Sequence, residues 1–242
     1  MGAAFGWGSF AASSLVMGAV LALVWRWRQR LVGHVLAFGA GALIAAVSFE
    51  LAQEGARVGG LDAVGVGLAI GAVGYYVLDG VVAHSTAGGH GRRGRAAAGE
   101  SGNALALGAF LDGIPEQLVL GIGIAAGEGV SASLLVAIFV SNLPEAVGSV
   151  SDMRAAGRGD RTIVRLWLVV AIVCALSTVA GYAIADAVSG ELKAAINGFA
   201  AGALLVMLVD SMVPEAAREA GRTAGLATAL GFAIATALST AT

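Results

Sequence analysis

Phe110-Leu111-Asp112-Gly113-Ile114-Pro115-Glu116 and Phe139-Val140-Ser141-Asn142-Leu143-Pro144-Glu145 lie 29 residues apart in a chain of 242. Both read Phe-x-x-x-(Ile/Leu)-Pro-Glu, and each sets an acid and a helix-bending proline inside an apolar run long enough to cross a bilayer. A carboxylate near the centre of a span costs about 2.5–3.5 kcal/mol to insert. Ion pathways, proton relays and metal sites are the usual reasons for bearing that cost. Each proline lacks an amide hydrogen and so frees the carbonyl one turn earlier, at Leu111 and Val140. Oxygen donors therefore gather where lipid supplies none.

Composition agrees. The chain is 58% hydrophobic and only 12% charged, with 37 glycines and a mean hydropathy of +0.86, outside the range of soluble domains. Few aromatics and many small residues favour close helix–helix approach. The single cysteine, Cys174, excludes an intrachain disulfide. No basic patch interleaved with aromatics and no phosphate-cradling glycine loop occurs, so nucleic acid is not an expected partner.

Apolar runs of bilayer length predict one all-α polytopic membrane domain over 1–242 with eight spans: 4–24, 32–53, 62–82, 104–125, 130–152, 163–186, 192–213 and 223–241. The first is read as a span rather than a signal peptide, because its basic cluster follows it. Arg26, Arg28 and Arg30 follow span 1, and Arg92, Arg93 and Arg95 follow span 3. Arg154, Arg158, Arg161 and Arg165 follow span 5, and Arg218 and Arg222 follow span 7. The alternate loops hold only Arg57 and Lys193, which completes the 14 basic residues. The positive-inside rule then puts both termini on the extracytoplasmic side of the cell membrane. The polar stretch 83–103, with His84 and His90, reads as a cytoplasmic linker. Trp25, Trp27 and Trp167 fall near inner boundaries and Trp7 and Tyr182 near outer ones, as interfacial belts would.

A second echo accompanies the first. Gly41-Ala-Leu-Ile leads thirteen residues on to Glu54, and Gly202-Ala-Leu-Leu leads thirteen on to Glu215. These copies fall in spans 2 and 7, which run in opposite directions, as do spans 4 and 5. Inverted repeats with broken helices at their interface are a transporter architecture.

On a helix, Asp112 and Glu116 share a face, as do Ser141 and Glu145. Gly148, Ser149 and Asp152 continue the second face towards the cytoplasm. Three carboxylates, a hydroxyl, the Asn142 amide and two released carbonyls form a hard-oxygen set suited to divalent cations. The bland alternative is an interhelical knot of protonated acids bonded to Ser and Asn.

In these motifs and in its topology the chain resembles the ZIP (Zrt-, Irt-like) metal transporters. That family has eight spans, outward termini and a cytoplasmic loop after span 3. It typically carries His-Asn-x-Pro-Glu-Gly in span 4 and a related His/Gln-(Asn/Asp/Glu)-x-Pro-(Glu/His)-Gly in span 5. Asp112 stands at the first histidine, Gly113 at the asparagine, and Pro115 and Glu116 match. Ser141 replaces the first ligand of span 5, while Asn142, Pro144 and Glu145 match; Gln117 and Ala146 stand at the glycines. The resemblance implies a mid-membrane metal site of Asp112, Glu116, Ser141, Asn142 and Glu145, and uptake of a transported divalent ion with no resident cofactor. The set holds no imidazole, which suits Mn²⁺, Fe²⁺ or Mg²⁺, although Zn²⁺ also binds carboxylates.

Glu50 and Glu54 at the outer end of span 2 read as a cation-attracting vestibule, against an ordinary solvated helix end. Asp210 and Glu215 at the inner end of span 7 read as an exit, against a surface pair of Glu215 with Arg218. Ser149 and Asp152 complete the pathway set. His34 reads as a cap or interface residue, and Cys174 as packing. The Gly67–Gly71 spacing serves helix packing within one subunit or between two in a homodimer. Two rival functions stay open. An intramembrane metal-dependent hydrolase would require His ligands or a nucleophile–base pair, and no histidine lies in the interior of a span, His34 standing at the very start of span 2. A proton-coupled carrier of another solute would use the same carboxylates.

Overall fold

The computed structural model describes residues 1–25, 27–86, 101–125, 132–155, 157–185, 187 and 189–241, and the side chains of all these except 82–86, 101–112, 133, 152, 155, 240 and 241. Every regular element among them is helical: α1 (Gly2–Val24), α2 (Gln29–Ala46), α3 (Glu54–Gly59), α4 (Leu61–Thr86), α5 (Ser101–Ala125), α6 (Ala132–Ala155), α7 (Asp160–Ile184), α8 (Gly190–Met207), α9 (Val213–Ala220) and α10 (Ala224–Ala241). Helices are the one open-ended structure that satisfies its own backbone in hydrocarbon. Among the described residues six stretches are long and apolar enough to cross a membrane: Gly2–Val24, Gln29–Gly59, Leu61–Val81, Leu134–Ser151, Asp160–Ile184 and Gly190–Ser239. The apolar part of α5 with described side chains, Gly113–Ala125, is shorter. Gly190–Ser239 has 50 residues, about 75 Å if straight and more than twice a hydrocarbon core, but it is broken at Gly221.

Several helices turn a row of large apolar side chains outward. On α4, Val64, Gly67, Gly71 and Tyr75 are buried, while Val66, Ile70, Val73 and Val77 are exposed. Leu168, Val169, Ile172 and Leu176 are likewise exposed on α7. Such a pattern would be a liability in water and is what a lipid-facing surface needs. Trp167 departs from the sequence expectation: it is fully buried rather than interfacial, packed in the core that joins α1, α2, α6 and α7. The edges of the expected linker are helical, α4 reaching Thr86 and α5 starting at Ser101. His90 and the arginines at 92, 93 and 95 lie outside the described residues, as does the side chain of His84.

Two stretches share an unusual build. α2 passes through a π-helical segment, Val47–Gln53, into α3; α8 passes through another, Leu208–Met212, into α9. Each short helix ends on a glycine at positive φ, Gly60 (91°) and Gly221 (64°), a conformation that a Cβ disfavours. Both glycines, both π-helical segments and both Gly-Ala-Leu runs are offset by the same 161 residues that separate Gly41 from Gly202. Gly59, closing α3, lies against Ala194 near the start of α8, and Gly33, near the start of α2, lies against Ala220 at the end of α9. The two stretches therefore run antiparallel. Their neighbours match too. Gly71 and Gly202 bring α4 and α8 together at the carbonyls of Phe199 and Leu68, and Gly231 and Gly41 do the same for α10 and α2 at the carbonyls of Phe38 and Thr228. Any Cβ at these four positions would collide with backbone. At the centre, α6 packs on α1, α2, α5 and α10, and α5 packs on α6, α7 and α8.

Candidate metal centre

Pro115 and Pro144 lie inside continuous helices, α5 and α6. Neighbouring helices hold both segments in place. Gly39 of α2 meets the backbone of Ser141, and Gly18 of α1 meets the Leu143 carbonyl and the Ala146 methyl. A bulkier residue at Gly18 or Gly39 would push α6 away. On the α5 side, Gly113 sits against the Cys174 thiol of α7; a Cβ there would come 2.6 Å from Sγ. One turn on, Thr178 Oγ1 donates to Gln117 Oε1 in a short buried hydrogen bond.

Burial sorts the candidate residues. Glu116 is 1% exposed, Ser141 1% and Asn142 3%, while Glu145 is half-buried. Of the eight buried polar residues among the described side chains, six, Glu116, Gln117, Ser141, Asn142, Ser177 and Thr178, belong to α5, α6 and α7. Glu116 is the only acid among them. The Ser141 hydroxyl donates to the Ile138 carbonyl at 3.1 Å, leaving its oxygen lone pairs for another partner. The amide nitrogens of Asn142 and Gln117 are buried without a hydrogen-bond partner. An orphan of this kind costs about 1–3 kcal/mol. A half-turn of the Asn142 amide about its last torsion presents its carbonyl oxygen instead, so this residue can meet either a donor or a cation. The side chain of Asp112 lies outside the described residues. Among the described residues no group of three His, Cys, Asp or Glu side chains converges as a metal cage; Glu116 on α5 and Ser141 and Asn142 on α6 are each buried, on two helices that pack together.

Neither a family model nor a curated protein matches the chain.

The outlying acids have partners of their own. Glu50, in the first π-helical segment, accepts from Ser239 of α10 at 2.7 Å. Glu54 is gripped by Arg57 through two hydrogen bonds of 2.6 and 2.7 Å. Glu215 lies 3.8 Å from Arg218, and its Oε1 would be 3.7 Å from a Cβ on Gly148. It therefore fronts α6 three residues beyond Glu145. Asp210 is exposed in the second π-helical segment and Ser149 is half-buried, whereas the Asp152 side chain lies outside the described residues. Cys174 is buried and in no disulfide. His34 bridges elements, with Nε2 2.8 Å from Thr223 Oγ1 and Nδ1 against the Arg30 carbonyl.

The Gln117–Thr178 link and the two π-helical segments were not anticipated from sequence. A glutamine and a threonine inside apolar runs hint at the first. Nothing local signals the second.

Proposed function

We propose that the chain is an eight-span membrane transporter of the ZIP type that carries a divalent metal cation into the cytoplasm across the cell membrane, with both termini outside. The observation that carries this reading is the burial of polar side chains at each of the two Pro-Glu elements. Glu116, Ser141 and Asn142 are all at most 3% exposed in a bundle whose buried residues are mostly apolar. α5 contains no basic residue, and α6 none before Arg154. A cation on the path supplies the positive charge that an ionised carboxylate needs at such depth.

Glu116 and Glu145 clamp the ion, and Asp112, Ser141 and Asn142 complete its shell. Glu50 and Glu54 stand at the outer mouth, and Ser149, Asp152, Asp210 and Glu215 lead inward. An inverted repeat relating spans 2 and 3 to spans 7 and 8 draws support from the matched π-helical segments, glycines and crossings in antiparallel stretches. Alternating access around a fixed central site follows naturally from such a repeat. The cargo is Zn²⁺, Fe²⁺ or Mn²⁺.

Uptake into proteoliposomes tests the reading. Glu116→Gln and Glu145→Gln each abolish flux of all three ions while the protein still inserts and purifies. Parental rates in both variants would refute it.

A further inference from the structure

Glu54 and Glu215 each have an arginine three residues on, Arg57 and Arg218. Both pairs lie in the short helix between a π-helical segment and a positive-φ glycine, at opposite ends of the bundle, the first closed by two hydrogen bonds and the second an ion pair at 3.8 Å. Arg57 reaches both carboxylate oxygens of Glu54. Arg218 lies 3.8 Å from Glu215 and donates to Glu219 at 3.0 Å. Exposed pairs at this spacing add little to stability, so propping up a helix is a weak reason to build the same pair twice. Arg57 is also one of only two basic residues in the loops that charge assigns to the outside, where the positive-inside bias gives no reason for it. Glu215 fronts the same helix that carries Glu145, through the gap left by Gly148. A carboxylate at a mouth draws cations in; an arginine on it occupies its lone pairs and adds a like charge.

We propose that Arg57 and Arg218 are tethered counter-cations, each holding a mouth carboxylate at rest and yielding it to the arriving divalent ion. Each arginine thereby sets the apparent affinity at its own face without setting the rate of passage. The inference rests on the cation-transport reading and adds to it a pair of affinity-determining residues that touch no ion at the central site. The exchange is purely electrostatic: one guanidinium leaves a carboxylate as one divalent ion takes its place.

The test uses the full-length protein in uniformly oriented proteoliposomes, with Mn²⁺ or Zn²⁺ varied on one face at a time. Arg57→Gln lowers KM at the outer face about two- to five-fold and leaves the inner KM and kcat unchanged. Arg218→Gln does the reverse. Arg57→Lys and Arg218→Lys restore the parental values, and raised salt shrinks the differences because exposed charges are screened. Unchanged thermal midpoints separate these effects from misfolding. Parental or raised KM in both Gln variants, with wild-type flux intact, overturns this inference alone. Absence of wild-type flux overturns the transport reading and this inference together.

Discussion

Gly113 and Cys174 meet where α5 crosses α7, and their fit is testable without any assumption about function. A methyl at Gly113 would press on a thiol 2.6 Å away. Gly113→Ala should lower stability by about 1–3 kcal/mol, the usual cost of overpacking, and Cys174→Ala should recover most of it by removing the sulfur. A thermal melt of the two singles and the double gives the coupling directly. One turn along, Thr178→Val strands the Gln117 carbonyl in the core and should cost about 1–3 kcal/mol by the same assay. These residues also mark how far sequence reading reaches. Glu116, Ser141 and Asn142 stood out because acids, hydroxyls and amides are costly inside apolar runs. That Gln117 would find Thr178, 61 residues away, depends on how α5 crosses α7, which no local pattern encodes.

The prolines act on whole elements. α5 and α6 continue through Pro115 and Pro144, each helix short of one backbone hydrogen bond. Restoring it with Pro144→Ala should raise or preserve the melting temperature, since an interior proline costs a helix about 3 kcal/mol. Uptake should nevertheless fall at least about tenfold if the released Val140 carbonyl and the bend serve the site. Parental uptake in Pro144→Ala would assign the proline to shape alone. Apolar runs suffice to predict helix, because hydrocarbon forces helix wherever such a run is long enough. The π-helical segments at Val47–Gln53 and Leu208–Met212 escaped notice. An extra residue in a helical turn is tolerated or not according to what packs around it. The echo from Gly41 to Glu54 and from Gly202 to Glu215 was the visible trace of that shared build.

At the scale of the molecule, charge gives an orientation that chemistry can check. Cys174 is the only native cysteine, so a Cys174→Ala background is clean for labelling. Gly159→Cys, following the fifth predicted span, should react with impermeant thiol reagent only from the cytoplasmic face, and Ala187→Cys, following the sixth, only from outside. Reaction of both from one face would break the eight-span reading. An all-helical chain with several apolar helices of membrane length is legible in hydropathy, an additive signal spread over the chain; the span count and orientation are what the labelling decides. Trp167 shows the limit: its position near a boundary suggested an interfacial ring, yet helix packing buries it completely.

Locating the cation tests the central claim most directly. Crystals of the protein grown with Mn²⁺, measured at its absorption edge, should show an anomalous peak between α5 and α6 beside Glu116, Asn142 and Glu145, and the peak should vanish in Glu116→Gln. Anomalous density confined to the surface acids, with nothing at the Pro-Glu segments, would contradict the account.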